Sequence, residues 1–199
     1  QLLAESQLSS ADQHVGFEWE STFILKSNSG PAPEKTCFVP DKTPGLEHLV
    51  SNEGLDKTIF INEPISFLIH DFRFRHRYSL NLKMYSMNKE AYSFHEQVMN
   101  QLNSSGSIFD PTEIQINGNI YNTSDEDEVV LGFFSVFTQS EKRIFISPAM
   151  LPFQEPFNIC SRVNPFAVTH EGSRAPEFCF DCLTYNSDTT DEEPVFWEW

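Results

Sequence analysis

Residues 72–84 read FRFRHRYSLNLKM, the most regular stretch of the chain. Its even positions are mostly apolar or aromatic, and its odd positions are basic or polar. Successive side chains of a strand point to opposite faces of the sheet. Alternation over 13 residues therefore predicts a long strand, or two strands joined at a bend, with one face buried and the arginines exposed.

The exposed face of this strand concentrates positive charge. Arg73, Arg75, Arg77 and Lys83 share it, although the chain has only 13 basic residues. One hypothesis is a contact surface formed by the three arginines, because guanidinium groups suit carboxylate or other anionic partners. The alternative is a solvated face whose charges pair with neighbouring acids.

Other segments also favour β-structure. Residues 15–26 place Phe17, Trp19 and Phe23 at even steps, which predicts a strand. Short strands are further predicted at 58–62, 128–139 and 142–147, with a turn at Ser140-Glu141. The Pro/Gly/Ser-rich stretch 27–44 is predicted to be an irregular loop, and residues 106–122 to be turn-rich and extended.

One segment has helical spacing. Asn88 is a good N-cap and Met87 can pack on Tyr92. A stripe then recurs at helical intervals, formed by Ala91, His95, Val98 and Leu102. Residues 103–106 end it, so the principal helix is predicted at about 88–103, lying on a sheet.

Four cysteines bear on the redox environment: Cys37, Cys160, Cys179 and Cys182. Disulfides are favoured over a zinc site, because a single C-x-x-C pair is a weak zinc motif; free thiols are the third possibility. We expect Cys160 to bond within the C-x-x-C region, with Cys37 the less certain partner.

These features predict one domain over residues 1–199. Its main β body spans about 15–150, and an irregular, disulfide-bonded tail rich in proline and cysteine spans about 151–199. The predicted fold is mainly antiparallel β, a sandwich or an open barrel, with one helix packed on it.

Charge and hydropathy exclude two classes of partner. The net charge of −16 would repel phosphate backbones, which argues against nucleic acid. The chain has no apolar run long enough for a transmembrane helix. It also has no signal-peptide pattern, so we expect any targeting signal to lie upstream.

The sequence offers no motif for catalysis, and we expect no enzyme, metal or cofactor. Nucleophile elbows, phosphate-binding loops and dinucleotide glycine patterns are missing. His95-Glu96 begins a zinc-protease pattern, but Met99 occupies the second histidine position. The acids at 125–128 lack the spacing of a calcium loop and favour a solvated turn.

Several motifs together resemble a family. They are Glu90-Ala91-Tyr92-x-Phe94, Gly106-Ser107-Ile108-Phe109-Asp110-Pro111, Ile116-Asn117-Gly118-Asn119-Ile120-Tyr121-Asn122, Val130-Leu131-Gly132-Phe133-Phe134-Ser135 and Glu141-Lys142-Arg143-Ile144-Phe145-Ile146. In this order they resemble the C-terminal half of the Bacteroidota domain-of-unknown-function family 4249. Phe17-Glu18-Trp19-Glu20, Cys179-x-x-Cys182 and Pro194-x-Phe196-Trp197 extend the resemblance over about 16–197.

The resemblance implies an envelope lipoprotein that acts beside a TonB-dependent outer-membrane transporter. Membrane attachment would come only through an upstream lipid anchor that this chain lacks. The resemblance supplies no catalytic residues. The expected contact surfaces are residues 27–44, residues 106–122 and the arginines at 73–77.

We therefore expect a non-enzymatic binding or accessory protein of the outer membrane. Two alternatives remain open: an envelope hydrolase whose site is not visible in the sequence, and a small outer-membrane β-barrel. The sequence does not identify the ligand, the oligomeric state or the face of the membrane.

Overall fold

A computed structural model describes the chain. The described residues are 2–8, 13–27, 33–42, 46, 48–54, 59–65, 72–104, 115–125, 128–151, 160 and 176–199. The order of strands and the one α-helix is β1 Leu2–Leu8, β2 His14–Ser27, β3 Lys35–Lys42, β4 His48–Ser51, β5 Ile59–Ile65, β6 Tyr78–Met87, α1 Lys89–Ser104 and β7 Thr138–Ile146.

All described strand pairs are antiparallel, which confirms the predicted fold class. β1 pairs with β5 in a two-stranded sheet. The other strands form a five-stranded open sheet in the order β3-β2-β6-β7, with β4 also paired to β2.

The 14-residue β2 organises the larger sheet. On one side, its first residues pair with β4 and its last eight with β3. On the other side, His14 to Phe23 pair with β6. β2 is therefore paired along both of its edges. Each of its two faces is also covered, and its side chains alternate between them.

The odd-numbered residues of β2 face the main core. Phe23 and Leu25 are 1% and 5% exposed, and Tyr78 and Leu80 of β6 are each 1% exposed. The other buried members of this core are Cys37, Val39, Phe74, Ile146 and Cys182. Burial of Tyr78 and Leu80 confirms the predicted apolar face of the alternating stretch.

The C-terminal segment covers both faces of the sheet. Cys182 contributes to the main core, whereas Trp197 packs with Ile24 and Phe38 on the opposite face. Between them, Thr190 exchanges two backbone hydrogen bonds with Phe38, at 2.7 and 3.1 Å. The segment thus passes around β3 and pairs with its outer edge.

Two disulfides hold this segment. Cys37 of β3 bonds to Cys182, and Cys160 bonds to Cys179. The prediction of disulfides, with Cys160 bonded within the C-x-x-C region, is confirmed. Each cysteine of the C-x-x-C pair therefore serves a different bridge.

Helix α1 follows β6 directly. Its first turn is capped by Asn88, whose Oδ1 accepts a 2.8 Å hydrogen bond from the Ala91 amide. Ala91 is fully buried, and the Tyr92 ring lies 5.0 Å from that of His14 in β2. The predicted helix and its N-cap are confirmed.

The alternating stretch forms a strand over only half of its length. Phe72–Phe74 is a 3₁₀ turn, and β6 begins at Tyr78, so the prediction of a strand from residue 72 is wrong. The Phe72 ring packs near those of Phe23 and Tyr185. The turn therefore packs the Phe72 ring against these two rings, although the alternation alone predicted a strand at this position.

Three further predictions are corrected. Residues 35–42 of the predicted loop form β3, in which Pro40 is tolerated because it sits at the sheet edge. Ser140 and Glu141 lie inside β7, paired with Met84 and Lys83, rather than in a turn. The strand predicted at 128–139 is wrong over residues 128–137, which lie outside the strands. The predicted strand at 58–62 matches part of β5.

Candidate binding site

The strand register gathers charged and polar side chains on the face of the sheet opposite the main core. Glu18 lies beside Lys83, and Glu20 beside Asn81, which in turn neighbours Arg143. The remaining members of this group are Ser79, Tyr85 and Glu141. Period-two side-chain geometry places them together, although they come from three strands.

Glu20 lies at the centre of this group. Its Oε2 is 3.5 Å from Lys83 Nζ, and its Oε1 is 3.7 Å from Arg143 Nη2. Asn81 is 4% exposed, and its Nδ2 donates to Glu20 at 3.3 Å and to Glu141 at 3.4 Å. The carboxylates are thus held in place by two cations and an amide.

Tyr85 marks one end of the group. Its hydroxyl donates a 2.7 Å hydrogen bond to Glu18 Oε2. Burial, together with this bond and the nearby carboxylate charge, raises the pKa of Tyr85 to about 12. The phenol therefore acts as a hydrogen-bond donor at neutral pH.

Arg143 marks the other end. Its Nη1 donates to Ser79 Oγ at 2.9 Å, and its guanidinium carbon lies 3.7 Å from the centre of the Phe196 ring. Burial lowers the pKa of Arg143, while Glu20 and Glu141 oppose that shift. The side chain stays charged, because the ordinary arginine pKa is far above neutral pH.

A cavity of about 220 Å³ lies between this end of the sheet and the C-terminal segment. Its lining combines sheet residues with residues of the wrapped segment. They are Glu20, Ser21, Thr22, Phe38, Pro40, Arg143, Asp188, Thr190, Pro194 and Phe196. The cavity thus has two carboxylates and a guanidinium beside rings of phenylalanine and proline.

The arginines expected to form one contact surface do not share a strand face. Arg73 belongs to the 3₁₀ turn and its Nη1 lies 2.7 Å from Asp41 Oδ2. Arg77 precedes β6 and its guanidinium lies 5.0 Å from the Phe145 ring. Arg75 lies between them. All three arginines are half-buried, so the prediction that this stretch exposes its arginines is wrong. The Arg73–Asp41 pair agrees with the alternative in which these charges meet neighbouring acids, while binding by the three arginines stays a prediction.

His95 lies against aromatic rings. Its imidazole is 5.9 Å from the Phe137 ring, and burial lowers its pKa. Among the described residues, no group of three or more histidines, cysteines and acids could hold a metal ion. Within the same residues, no helix combines the length and hydropathy needed to span a membrane.

A second surface is apolar and exposed. Along residues 129–136, Val129 and Leu131 are 63% and 71% exposed, and Phe134 and Val136 are 70% and 84% exposed. Gly132, at φ 131°, changes the phase of alternation between the two pairs. We call these four side chains the apolar ridge; it leads directly into β7.

A neighbouring segment supports the ridge. The side chain of Asn119 exchanges two 2.7 Å hydrogen bonds with the backbone of Phe134. On the other side of the backbone, the Phe133 ring stacks 4.8 Å from that of Phe94 in α1. These contacts fix the backbone that presents Phe134 and Val136.

Sequence reasoning missed both sites. In β2, Glu18 and Glu20 alternate with the apolar residues that predicted the strand. This alternation could have predicted that the two carboxylates lie on the same face of the sheet. The cavity could not, because Asp188 and Thr190 reach it only after the chain has passed around β3. Ile120 and Tyr121 of the predicted contact segment 106–122 are exposed, but this segment does not include the ridge, and binding by it stays a prediction.

The fold and the sites define an antiparallel sheet domain with a disulfide-bonded C-terminal segment, a small cavity and an exposed apolar ridge. Residues 10–143 match the family described as domain of unknown function DUF4249. The chain belongs to this family, as its motifs predicted. The match includes the ridge and every residue of the charged and polar group on the sheet, whereas the C-terminal motifs lie beyond it. No curated protein and no solved structure matches the chain.

Proposed function

We propose that this chain is the non-enzymatic binding domain of an outer-membrane-associated accessory protein that works beside a TonB-dependent transporter. In this role, the apolar ridge is the surface that docks on the partner. The proposal joins the family resemblance to the two surfaces described above.

The observation that carries the proposal is the exposure of the ridge. Soluble monomers rarely display large contiguous apolar patches, and such patches commonly mark interfaces. Four large apolar side chains exposed by 63–84% along eight residues are unusual in a chain with a net charge of −16. The backbone that presents Phe134 and Val136 is held by Asn119 and Phe133 contacts, so this part of the surface is ordered before binding, which reduces the entropic cost of association.

The adjoining strand supports the same role. β7 pairs with β6, and among the described strands it has no partner on its other edge. An exposed edge strand can accept a strand from another chain through backbone hydrogen bonds. A partner that covered the ridge could therefore continue onto the edge of β7.

The two disulfides support an envelope location. Disulfides persist in oxidising compartments such as the periplasm and the cell surface. They also fix the C-terminal segment to the sheet, which gives the exposed surfaces a rigid scaffold.

The experiment is a pull-down from native outer membranes with the full-length protein. One bait carries Val136→Asp on the ridge. The matched control carries Val195→Asp, because Val195 is also exposed but lies in the C-terminal segment. We expect the wild type and the control to recover the co-encoded transporter. The Val136→Asp bait should recover at least about tenfold less of it. Equal thermal midpoints for the two variants would show that folding is unchanged.

Two results would contradict the proposal. Equal recovery of the transporter by Val136→Asp and wild type would remove the ridge from the interface. No recovery by wild type, together with turnover in a broad hydrolase screen, would favour the enzyme hypothesis instead.

A further inference from the structure

We infer that the cavity between the polar face and the C-terminal segment is a binding site for an uncharged, polyhydroxylated ring, such as one sugar unit. This site is separate from the apolar ridge and does not depend on the transporter partnership. The size of the cavity, the two signs of charge in its lining and the chemistry of its walls support this assignment.

The size of the cavity limits its occupant. Its volume of about 220 Å³ is smaller than the cavities of about 300–1,000 Å³ that hold drug-sized ligands. A single saturated ring with its substituents fits a cavity of this size. A long peptide or an acyl chain would extend beyond it.

The lining of the cavity carries charges of both signs. Among the described residues, Glu20 and Asp188 contribute carboxylates to the lining, while Arg143 lines it and Lys83 lies 3.5 Å from Glu20. A cationic ligand would meet Arg143, and an anionic ligand would meet Asp188 and Glu20. An uncharged ligand avoids both repulsions.

Hydroxyl groups use both kinds of polar partner. Each hydroxyl can donate to a carboxylate and accept from a guanidinium, which only donates. Arg143 is held between Ser79 and the Phe196 ring, so its orientation is fixed before a ligand enters. The Thr22 and Thr190 residues add hydroxyl-bearing side chains to the lining.

The rest of the lining is flat and carbon-rich. Phe38, Pro40, Pro194 and Phe196 contribute rings to the wall. Such surfaces pack against the C–H faces of a saturated ring, while its hydroxyls reach the polar end. This mixture of mainly apolar walls and a few oriented polar groups is typical of small-molecule sites.

The test is a binding titration of the full chain with named probes. Four probes are neutral: glucose, galactose, mannose and N-acetylglucosamine. Three carry charge: glucosamine, glucuronate and valine. We expect at least one neutral sugar to bind with a dissociation constant of about 1 mM or tighter, and more tightly than any charged probe.

Two variants locate the binding. Asp188→Asn removes a lining carboxylate that is exposed and not part of the core, so the fold should persist. Glu20→Gln removes the central carboxylate. We expect each to weaken the neutral sugar by about tenfold, the scale of a hydrogen bond to a charged group. Glu192→Gln, on the same segment but outside the lining, should bind as wild type does.

The inference is overturned if no neutral sugar binds in this range, if a charged probe binds more tightly, or if Asp188→Asn binds as wild type does. Transporter recovery tests the ridge independently. Loss of sugar binding with normal recovery, or the reverse, would therefore show which of the two proposals has failed.

Discussion

Tyr85 shows how a residue on the polar face responds to its neighbours. Its phenol donates to Glu18, and burial with nearby carboxylates raises its pKa from 10.0 to about 12. The folded chain therefore holds this proton more tightly than the unfolded chain does. The resulting stabilisation is complete below pH 10 and is lost as pH rises towards 12, because ionisation then favours unfolding.

We predict that Tyr85→Phe removes this component of alkaline destabilisation. The free energy of unfolding of wild type should fall more steeply between about pH 10 and 12 than that of the variant. The difference in tyrosinate absorbance between the two proteins should titrate near the raised pKa of Tyr85, about 12. Tyr121→Phe removes an exposed phenol and controls for the loss of one chromophore. A difference curve centred at pH 10 would contradict the assignment.

At the scale of elements, helix α1 depends on its first turn. Asn88 Oδ1 accepts the Ala91 amide, which would otherwise lack an intrahelical partner. We expect Asn88→Ala to lower the free energy of unfolding by about 1 kcal/mol. Asn88→Asp should retain most of the stabilisation that the cap provides, because aspartate caps helices equally well. Denaturant titration measures both. Equal losses would show that the cap contributes little.

The crossing of two extended segments requires glycine. A Cβ at Gly118 would lie 1.5 Å from the Gly132 carbonyl oxygen, a clash with backbone that no rotamer relieves. We predict that Gly118→Ala separates the segments and breaks the hydrogen bonds between Asn119 and Phe134. Amide exchange at Phe134 should accelerate, and stability should fall by about 1–3 kcal/mol, the usual range for overpacking.

Gly54→Ala is the matched control for this change. Gly54 has a positive φ of 74°, and a Cβ there would meet nothing within 4 Å. Its cost is backbone strain of about 1 kcal/mol, and Phe134 exchange should not change. The crossing would be of no structural consequence if both variants left Phe134 equally protected.

Sequence patterns identified elements where local and tertiary preferences agree. Residues 14–27 alternate and are paired along both edges, and Asn88 caps a helix whose Ala91 is buried. The patterns failed where tertiary contacts decide between two local solutions. Phe72 and Phe74 reach the core through a 3₁₀ turn, and Ser140 is kept in a strand by its pairing with Met84.

The polar face follows the same division. The alternation in β2 could place Glu18 and Glu20 on one face, but their partners depend on the register with β6 and β7. That register was not derivable from local composition, since Ser140-Glu141 looked like a turn. The cavity needs a longer step still, because its outer wall comes from residues 188–196.

On the scale of the whole molecule, the wrapped C-terminal segment joins the two faces of the sheet. Cys182 is fully buried in the main core, and Trp197 is 6% exposed on the opposite face. The Thr190 bridge to Phe38 lies between these anchors. Releasing the segment would expose apolar surface on both faces and remove the outer wall of the cavity.

The two disulfides should therefore differ in their contribution to stability. Cys37–Cys182 joins residues 145 apart in sequence, whereas Cys160–Cys179 joins residues 19 apart. Loop-closure entropy gives about 5 kcal/mol for the longer loop and about 3 kcal/mol for the shorter one. We predict a greater loss in the double variant Cys37→Ala/Cys182→Ala than in Cys160→Ala/Cys179→Ala, measured by denaturant unfolding. The longer bridge also anchors the segment in the core, so its removal should increase the binding of a hydrophobic dye. Equal losses, or a greater loss in the second variant, would show that the C-terminal segment is held mainly by contacts other than the Cys37–Cys182 bridge.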